Sequence, residues 1–165
     1  MSDILVINTG GTFNKRYNRL NGELFVDNDS QAFEEITSNW LCEFEIVNIV
    51  GKDSLEFDDD DRELIKNNIN QHNSKNKFII IHGTDTMHIT ADFLDKNCKD
   101  KVIVLTGAMV PFSINPIEAT ANFAMSYGFL SNCDTSGIYI CMNGKIGEFT
   151  KVKKDKIQGK FVKTN

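Results

Sequence analysis

The chain has 165 residues, 41% of them hydrophobic and 25% charged, with a formal net charge of −5. That length supports one domain with a full hydrophobic core, and a mildly acidic chain is not built to attract phosphate backbones, which argues against nucleic acid as a partner. No stretch approaches the roughly 18 apolar residues of a membrane span. The start, Met1-Ser2-Asp3-Ile4, has no basic n-region before it enters a core-like strand, so no signal peptide and a cytoplasmic location are expected.

Taken in chain order, the first apolar run, 4–8, reads as a buried strand. The segment 13–29 then breaks the pattern. Its Asn21-Gly22 pair is a turn signal between 17–20 and 23–26, which predicts a hairpin or mobile loop over the first strand end. A helix follows at 30–41, with Ala32, Phe33, Ile36, Trp40 and Leu41 apolar, and then a strand at 44–50. The run Asp58-Asp59-Asp60-Asp61 suits a solvated helix N-terminus, where the dipole favours negative charge, and opens a helix over 58–72.

Strand 78–82, helix 86–97, strand 102–106, helix 116–130 and strand 137–142 complete the series. All five strands are short, rich in Ile and Val and without clean alternation, as expected where both faces are covered. The strand–helix alternation predicts a doubly wound, mostly parallel α/β sheet with helices on both faces. The basic, polar tail 145–165 is expected to form one more hairpin or to reach a neighbouring subunit. Cys42, Cys98, Cys133 and Cys141 form no C-x-x-C pair and have no histidine at ligand spacing, so they read as reduced thiols with packing roles, and no metal site is expected.

In a parallel sheet, ligands bind at the carboxyl ends of the strands. Three such ends carry glycines and small polar residues: Asn8-Thr9-Gly10-Gly11-Thr12, His82-Gly83-Thr84-Asp85-Thr86 and Leu105-Thr106-Gly107-Ala108. Glycine lets backbone approach a ligand, and exposed N–H groups in such turns can hold a carboxylate, a phosphate or a developing oxyanion. This makes Gly11, Gly83 and Ala108 substrate-binding candidates. A threonine hydroxyl can serve as nucleophile if a base or charge relay activates it. Taken singly, each loop also reads as ordinary turn and capping chemistry. Neither G-x-G-x-x-G nor G-x-x-x-x-G-K-[ST] occurs, which leaves a nucleotide-binding, flavodoxin-like protein as a minor alternative. His82, ending an apolar strand, reads as a hydrogen-bonded core histidine. His72 and His88 have no obvious nucleophilic partner in sequence, which disfavours a Ser/His/Asp triad.

With Asn8-Thr9-Gly10-Gly11-Thr12-Phe13, Ile81-His82-Gly83-Thr84-Asp85-Thr86-Met87 and Val104-Leu105-Thr106-Gly107-Ala108-Met109-Val110-Pro111 in this order and spacing, the chain resembles the N-terminal domain of the bacterial-type L-asparaginase family. The resemblance implies cofactor-independent hydrolysis of asparagine, and sometimes glutamine, to the acid and ammonia. It implies Thr12 as nucleophile and Thr84 as the second essential hydroxyl, with Asp85 binding the substrate's α-amino group. The family also uses a lysine hydrogen-bonded to that second threonine. Phe149-Thr150-Lys151 fits best and makes Lys151 the candidate, with Lys153 as fallback. Asp53-Ser54 matches the family's substrate-holding serine, and Ser54 would contact the substrate carboxylate.

Two departures accompany the resemblance. The family has a tyrosine in the loop after the nucleophile. At that spacing this chain has Phe25, and Tyr17, nearer Thr12 in the same loop, is the candidate to supply the phenol. Family enzymes also have a second domain, and a neighbouring subunit's acidic residue from it completes the site. The expectation here is a single domain over 1–165, with a site open on one side unless a second subunit or the tail covers it. A homodimer is the economical closure. The leading expectation is therefore an amidohydrolase acting on L-asparagine or a related small amide. The alternative is an amino-acid-binding or regulatory module that keeps the pocket with weak turnover or none.

Overall fold

The structure is a computed structural model, and it describes residues 3–41 and 43–164. The elements run β1 (Ile4–Gly10), β2 (Lys15–Tyr17), β3 (Leu24–Val26), α1 (Gln31–Trp40), β4 (Glu45–Lys52), α2 (Asp59–Gln71), β5 (Lys77–Ile81), α3 (Met87–Asn97), β6 (Val102–Thr106), α4 (Pro116–Asn132), β7 (Gly137–Met142), β8 (Lys145–Glu148), β9 (Val152–Asp155) and β10 (Lys160–Lys163). Short 3-10 turns lie at Thr12–Asn14 and Ser54–Glu56.

The main sheet has the order β4-β1-β5-β6-β7-β8. Its first five strands pair in parallel, and β8 turns back antiparallel on β7. The parallel strands thus follow the 2-1-3-4-5 order of a doubly wound sheet. Side chains alternate between two cores. Leu5, Ile7, Phe78, Ile80, Ile103 and Leu105 point to one, which Ile65, Ile69 and Leu94 of α2 and α3 cover. Ile4, Val6, Ile79, Ile81, Val102 and Val104 point to the other, beneath Phe33 of α1 and Phe123 of α4. Burial on both faces explains why these strands read as unbroken apolar runs.

The acidic run works as a helix start. Asp58 caps α2 by accepting from the Asp61 N–H, while the Asp61 side chain accepts from the Asp58 N–H. Asp61 also holds Lys52 Nζ at 2.8 Å. Cys98 and Cys141 pack in the two cores, and Cys133 is half-buried. Cys42 lies outside the described residues.

Two local details differ from the expectation. The hairpin after β1 pairs Lys15 with Val26, Arg16 with Phe25 and Tyr17 with Leu24, so 18–23 form a wider turn than Asn21-Gly22 alone would make. Asn18 closes that turn at both ends: its N–H donates to the Glu23 carbonyl, and its carbonyl accepts from the Gly22 N–H, both at 2.8 Å. The tail contributes two features rather than one, the antiparallel β8 and a separate β9–β10 hairpin.

Candidate active site

The strand order reverses at β1, where chain-adjacent β4 and β5 lie on opposite sides. The crevice at the carboxyl ends of β1 and β5 is the topological switch point of such a sheet. The two threonine loops leave the sheet there.

Glycines let these loops nest. A Cβ on Gly11 would stand 2.5 Å from the Gly83 nitrogen, one on Gly83 would stand 2.5 Å from Ser54 Cβ, and one on Gly107 would stand 2.3 Å from the His82 oxygen. Gly11 also has φ 69 and ψ −170, a conformation essentially reserved for glycine. The contact of Gly11 with Gly83 puts Thr12 and Thr84, each one residue further on, beside the same crevice.

Each loop is pinned by buried polar contacts. The Gly11 N–H donates to the Lys52 carbonyl at 2.9 Å, and the Thr9 hydroxyl donates to the Ile81 carbonyl at 2.6 Å. Asn8 and Asn14 exchange side-chain hydrogen bonds, and Asn14 Nδ2 also donates to the Gly10 carbonyl at 3.0 Å. Phe13 stacks on Phe33 and Phe112, which anchors the short turn that Thr12 begins. Thr12 is half-buried, and its hydroxyl has no hydrogen-bond partner among the described residues.

The polar cluster centres on Thr84. Lys154 Nζ donates to Thr84 Oγ1 and to Asp85 Oδ1, each at 2.8 Å. Ser54 is buried; its Oγ accepts from the Asp85 N–H at 3.2 Å, and its carbonyl accepts from the Thr86 hydroxyl at 2.7 Å. An ammonium only donates, so Thr84 Oγ1 accepts from Lys154 and keeps its own proton for another partner.

Lys154 makes the contact that the sequence reading assigned to Lys151, with Lys153 as fallback. Lys151 lies in the turn before β9, is exposed and faces Glu148 at 3.6 Å. The reason is the two-residue period of a strand. Val152 is buried in the core, and Phe161, directly across the hairpin from Lys154, is buried in the same core. Lys154 therefore shares their face, and Lys153 points away from it. The buried Val152 is the signal that would have selected Lys154.

The remaining candidates divide. Asp53 begins the turn that carries Ser54, and its carboxylate is engaged by Lys15 Nζ at 2.5 Å and by the Leu55 N–H. Burial alone would raise its pKa, but these contacts outweigh burial and hold it below the ordinary carboxylate value. Asp53 thus ties the serine turn to β2. Ala108 is buried with its methyl group in the α1–α4 core, so a ligand would meet only its backbone. Tyr17 and Phe25 are both exposed on the β2–β3 hairpin. His82 is a core residue with both ring nitrogens hydrogen-bonded.

Sequence reasoning missed the brace of the third loop. Glu118 accepts from the Met109 and Val110 N–H groups and from Asn143 Nδ2, and Asn122 Nδ2 donates to the Gly107 carbonyl. A cleft of about 530 Å³ adjoins the cluster, with Thr84, Asp85 and Lys154 among its polar lining and Ile89, Phe149 and Phe161 among its apolar lining. No group of three His, Cys, Asp or Glu residues able to hold a metal ion occurs among the described residues, and no described helix is long and apolar enough to cross a membrane.

This architecture recurs in known proteins. The thermostable L-asparaginase from Thermococcus kodakarensis superposes with a TM-score of 0.79 at 24% identity, over 98% of this chain and 51% of that one. A probable cytoplasmic L-asparaginase from Campylobacter jejuni superposes with a TM-score of 0.77 at 24% identity, over 93% and 50%. In sequence, a probable periplasmic L-asparaginase from Haemophilus influenzae is 29% identical over 88% of this chain and 44% of its own length. The chain thus spans about half the length of the relatives it matches. The family profile described as Asparaginase, N-terminal, matches residues 3–159. With its switch-point threonine loops, its parallel sheet and this match along nearly its whole length, the chain belongs to the asparaginase family through that family's N-terminal domain.

Proposed function

We propose that this protein is an amidohydrolase that hydrolyses the side-chain amide of L-asparagine, or of a closely related small amide, to the acid and ammonia. The observation that carries the reading is the bridge from Lys154 to both Thr84 and Asp85, at the loop that Gly11 brings against Thr12. Thr12 is the nucleophile in this reading, as the family resemblance implies; it is half-buried next to Gly11, and its hydroxyl is free of hydrogen bonds to the other described residues. Its attack on the amide carbon, with transfer of its proton to the departing nitrogen, would release ammonia and leave an ester that water then cleaves. Thr84, oriented by Lys154, offers its proton to the reacting centre or holds the water. Asp85 holds the substrate's α-amino group and Ser54 its α-carboxylate. The Gly11 and Gly83 backbone lines the substrate, and Tyr17 supplies a phenol from the hairpin.

The same proposal takes the unit as one domain acting as a homodimer, without cofactor, in the cytoplasm. The relatives' names divide on compartment, one periplasmic and one cytoplasmic, so cell fractionation decides that part. The chemistry is tested by ammonia release from a panel of small amides. Asparagine or a close analogue should be turned over by the parent and not by Thr12→Ala or Thr84→Ala. Stabilisation by aspartate without ammonia from any amide would point instead to an amino-acid-binding module.

A further inference from the structure

His82 lies where the loops converge, yet its side-chain hydrogen bonds go to Gly83 and Thr90 rather than to Thr12 or Lys154. Its backbone N–H donates to the Thr106 carbonyl at 2.9 Å, and its own carbonyl packs on Gly107. The ring is fully buried, with Phe57 at 4.5 Å between centroids. Nδ1 lies 2.8 Å from the Gly83 carbonyl oxygen, and Nε2 lies 2.8 Å from Thr90 Oγ1. A carbonyl only accepts, so the proton belongs on Nδ1, and Nε2 accepts from the Thr90 hydroxyl. Thr90 is itself fully buried on α3, whose N-terminal turn follows directly from Thr84 and Asp85.

Gly83 needs this restraint. It is glycine because Ser54 leaves no room for a Cβ, and glycine has more backbone freedom than any other residue. Nothing in its own covalent structure fixes the 83–84 peptide. We infer that His82 is a positioning residue, whose Nδ1–H tautomer, clamped between Thr90 and the Gly83 carbonyl, sets the peptide that presents Thr84 and Asp85. The kinetic consequence rests on the amidohydrolase reading; the structural one does not.

The test uses three variants of the full chain: His82→Leu, which removes both bonds; His82→Gln, whose amide offers one donor and one acceptor; and Thr90→Val, which removes the hydroxyl alone. Long-range ¹H–¹⁵N NMR of the parent should find the Nδ1–H tautomer. His82→Leu and Thr90→Val should shift the Thr84 and Asp85 amide resonances and speed their hydrogen exchange, with His82→Gln nearer the parent. In turnover, His82→Leu should lower kcat about 10- to 100-fold with KM within about threefold, the pattern of a misplaced catalytic group, and His82→Gln should restore most of it. An Nε2–H tautomer, or Thr84 and Asp85 resonances unchanged in His82→Leu, would overturn the inference. If the parent releases no ammonia, the amidohydrolase reading fails, and the NMR results alone decide the role of His82.

Discussion

An alanine at position 11 would have to hold φ 69 and ψ −170 while its methyl group met the Gly83 nitrogen at 2.5 Å. Neither the strain nor the clash can be relieved by a rotamer change, because both partners are backbone. Gly11→Ala should lower stability by about 3 kcal/mol or more, read as a shift in the urea midpoint, and should abolish turnover in whatever folded fraction remains. At the same scale, Lys154→Met should lower kcat by about 100-fold or more, because Thr84 loses its orienting donor and Asp85 its counter-charge. Lys151→Ala and Lys153→Ala should each leave turnover within about twofold, since solvated amines contribute little. A Lys151 variant as damaged as the Lys154 variant would contradict this geometry. The glycine and threonine positions were legible because the chain writes them contiguously at strand ends. Lys154 was less so, because three lysines crowd 151–154, and only the strand period counted from buried Val152 separates them.

The elements carry these residues with unequal security. Thr84 and Asp85 leave a central strand of the sheet, whereas Lys154 sits on a two-stranded hairpin outside it. That hairpin is held by Val152 and Phe161 in the core and by the Phe161 N–H donating to Asn143 Oδ1 at 3.1 Å. Phe161→Ala should therefore cost about 3–5 kcal/mol in denaturant unfolding, and turnover of the folded protein should fall with it, because Lys154 stands directly opposite on the same face. Unchanged kcat in a well-folded Phe161→Ala protein would mean that Lys154 is positioned by something other than this packing. The five parallel strands of the main sheet were legible as unbroken apolar runs, and the helices from apolar periodicity and capping chemistry. The register of the β2–β3 hairpin was not, since Asn18 closes a wider turn than the Asn21-Gly22 signal implies. The Glu118 brace was not legible either: an acid in a helix first turn is ordinary for capping, and only the fold brings Asn143 and the 109–110 backbone to it.

Across the whole molecule, pH should act through His82. Burial lowers its pKa from 6.5 to about 4, the hydrogen bond to Gly83 opposes that shift, and nearby Arg62 adds to it while Asp61 subtracts. The unfolded chain therefore binds more protons than the folded one between about pH 6.5 and pH 4. Stability is full above that window and falls as pH drops through it, by about 3 kcal/mol in all. Urea midpoints measured at about pH 7 and about pH 5 should differ in the parent, and most of that difference should vanish in His82→Gln. A parent midpoint flat across the window would mean that His82 is not held neutral. The carboxylates of Asp53, held low by Lys15 and the Leu55 N–H, and of Asp58, held low by the Asp61 N–H, add their own loss only at lower pH.

The proposed hydrolysis needs Thr12 and Thr84 to serve one ligand at the switch point. A crystal structure with bound L-aspartate, the product of the proposed reaction, tests this most directly. The side-chain carboxylate should lie within hydrogen-bond reach of both Thr12 Oγ1 and Thr84 Oγ1, with the α-amino group on Asp85 and the α-carboxylate at Ser54. Aspartate bound only in the cleft between α3 and the β9–β10 hairpin, with Thr12 untouched, would contradict it.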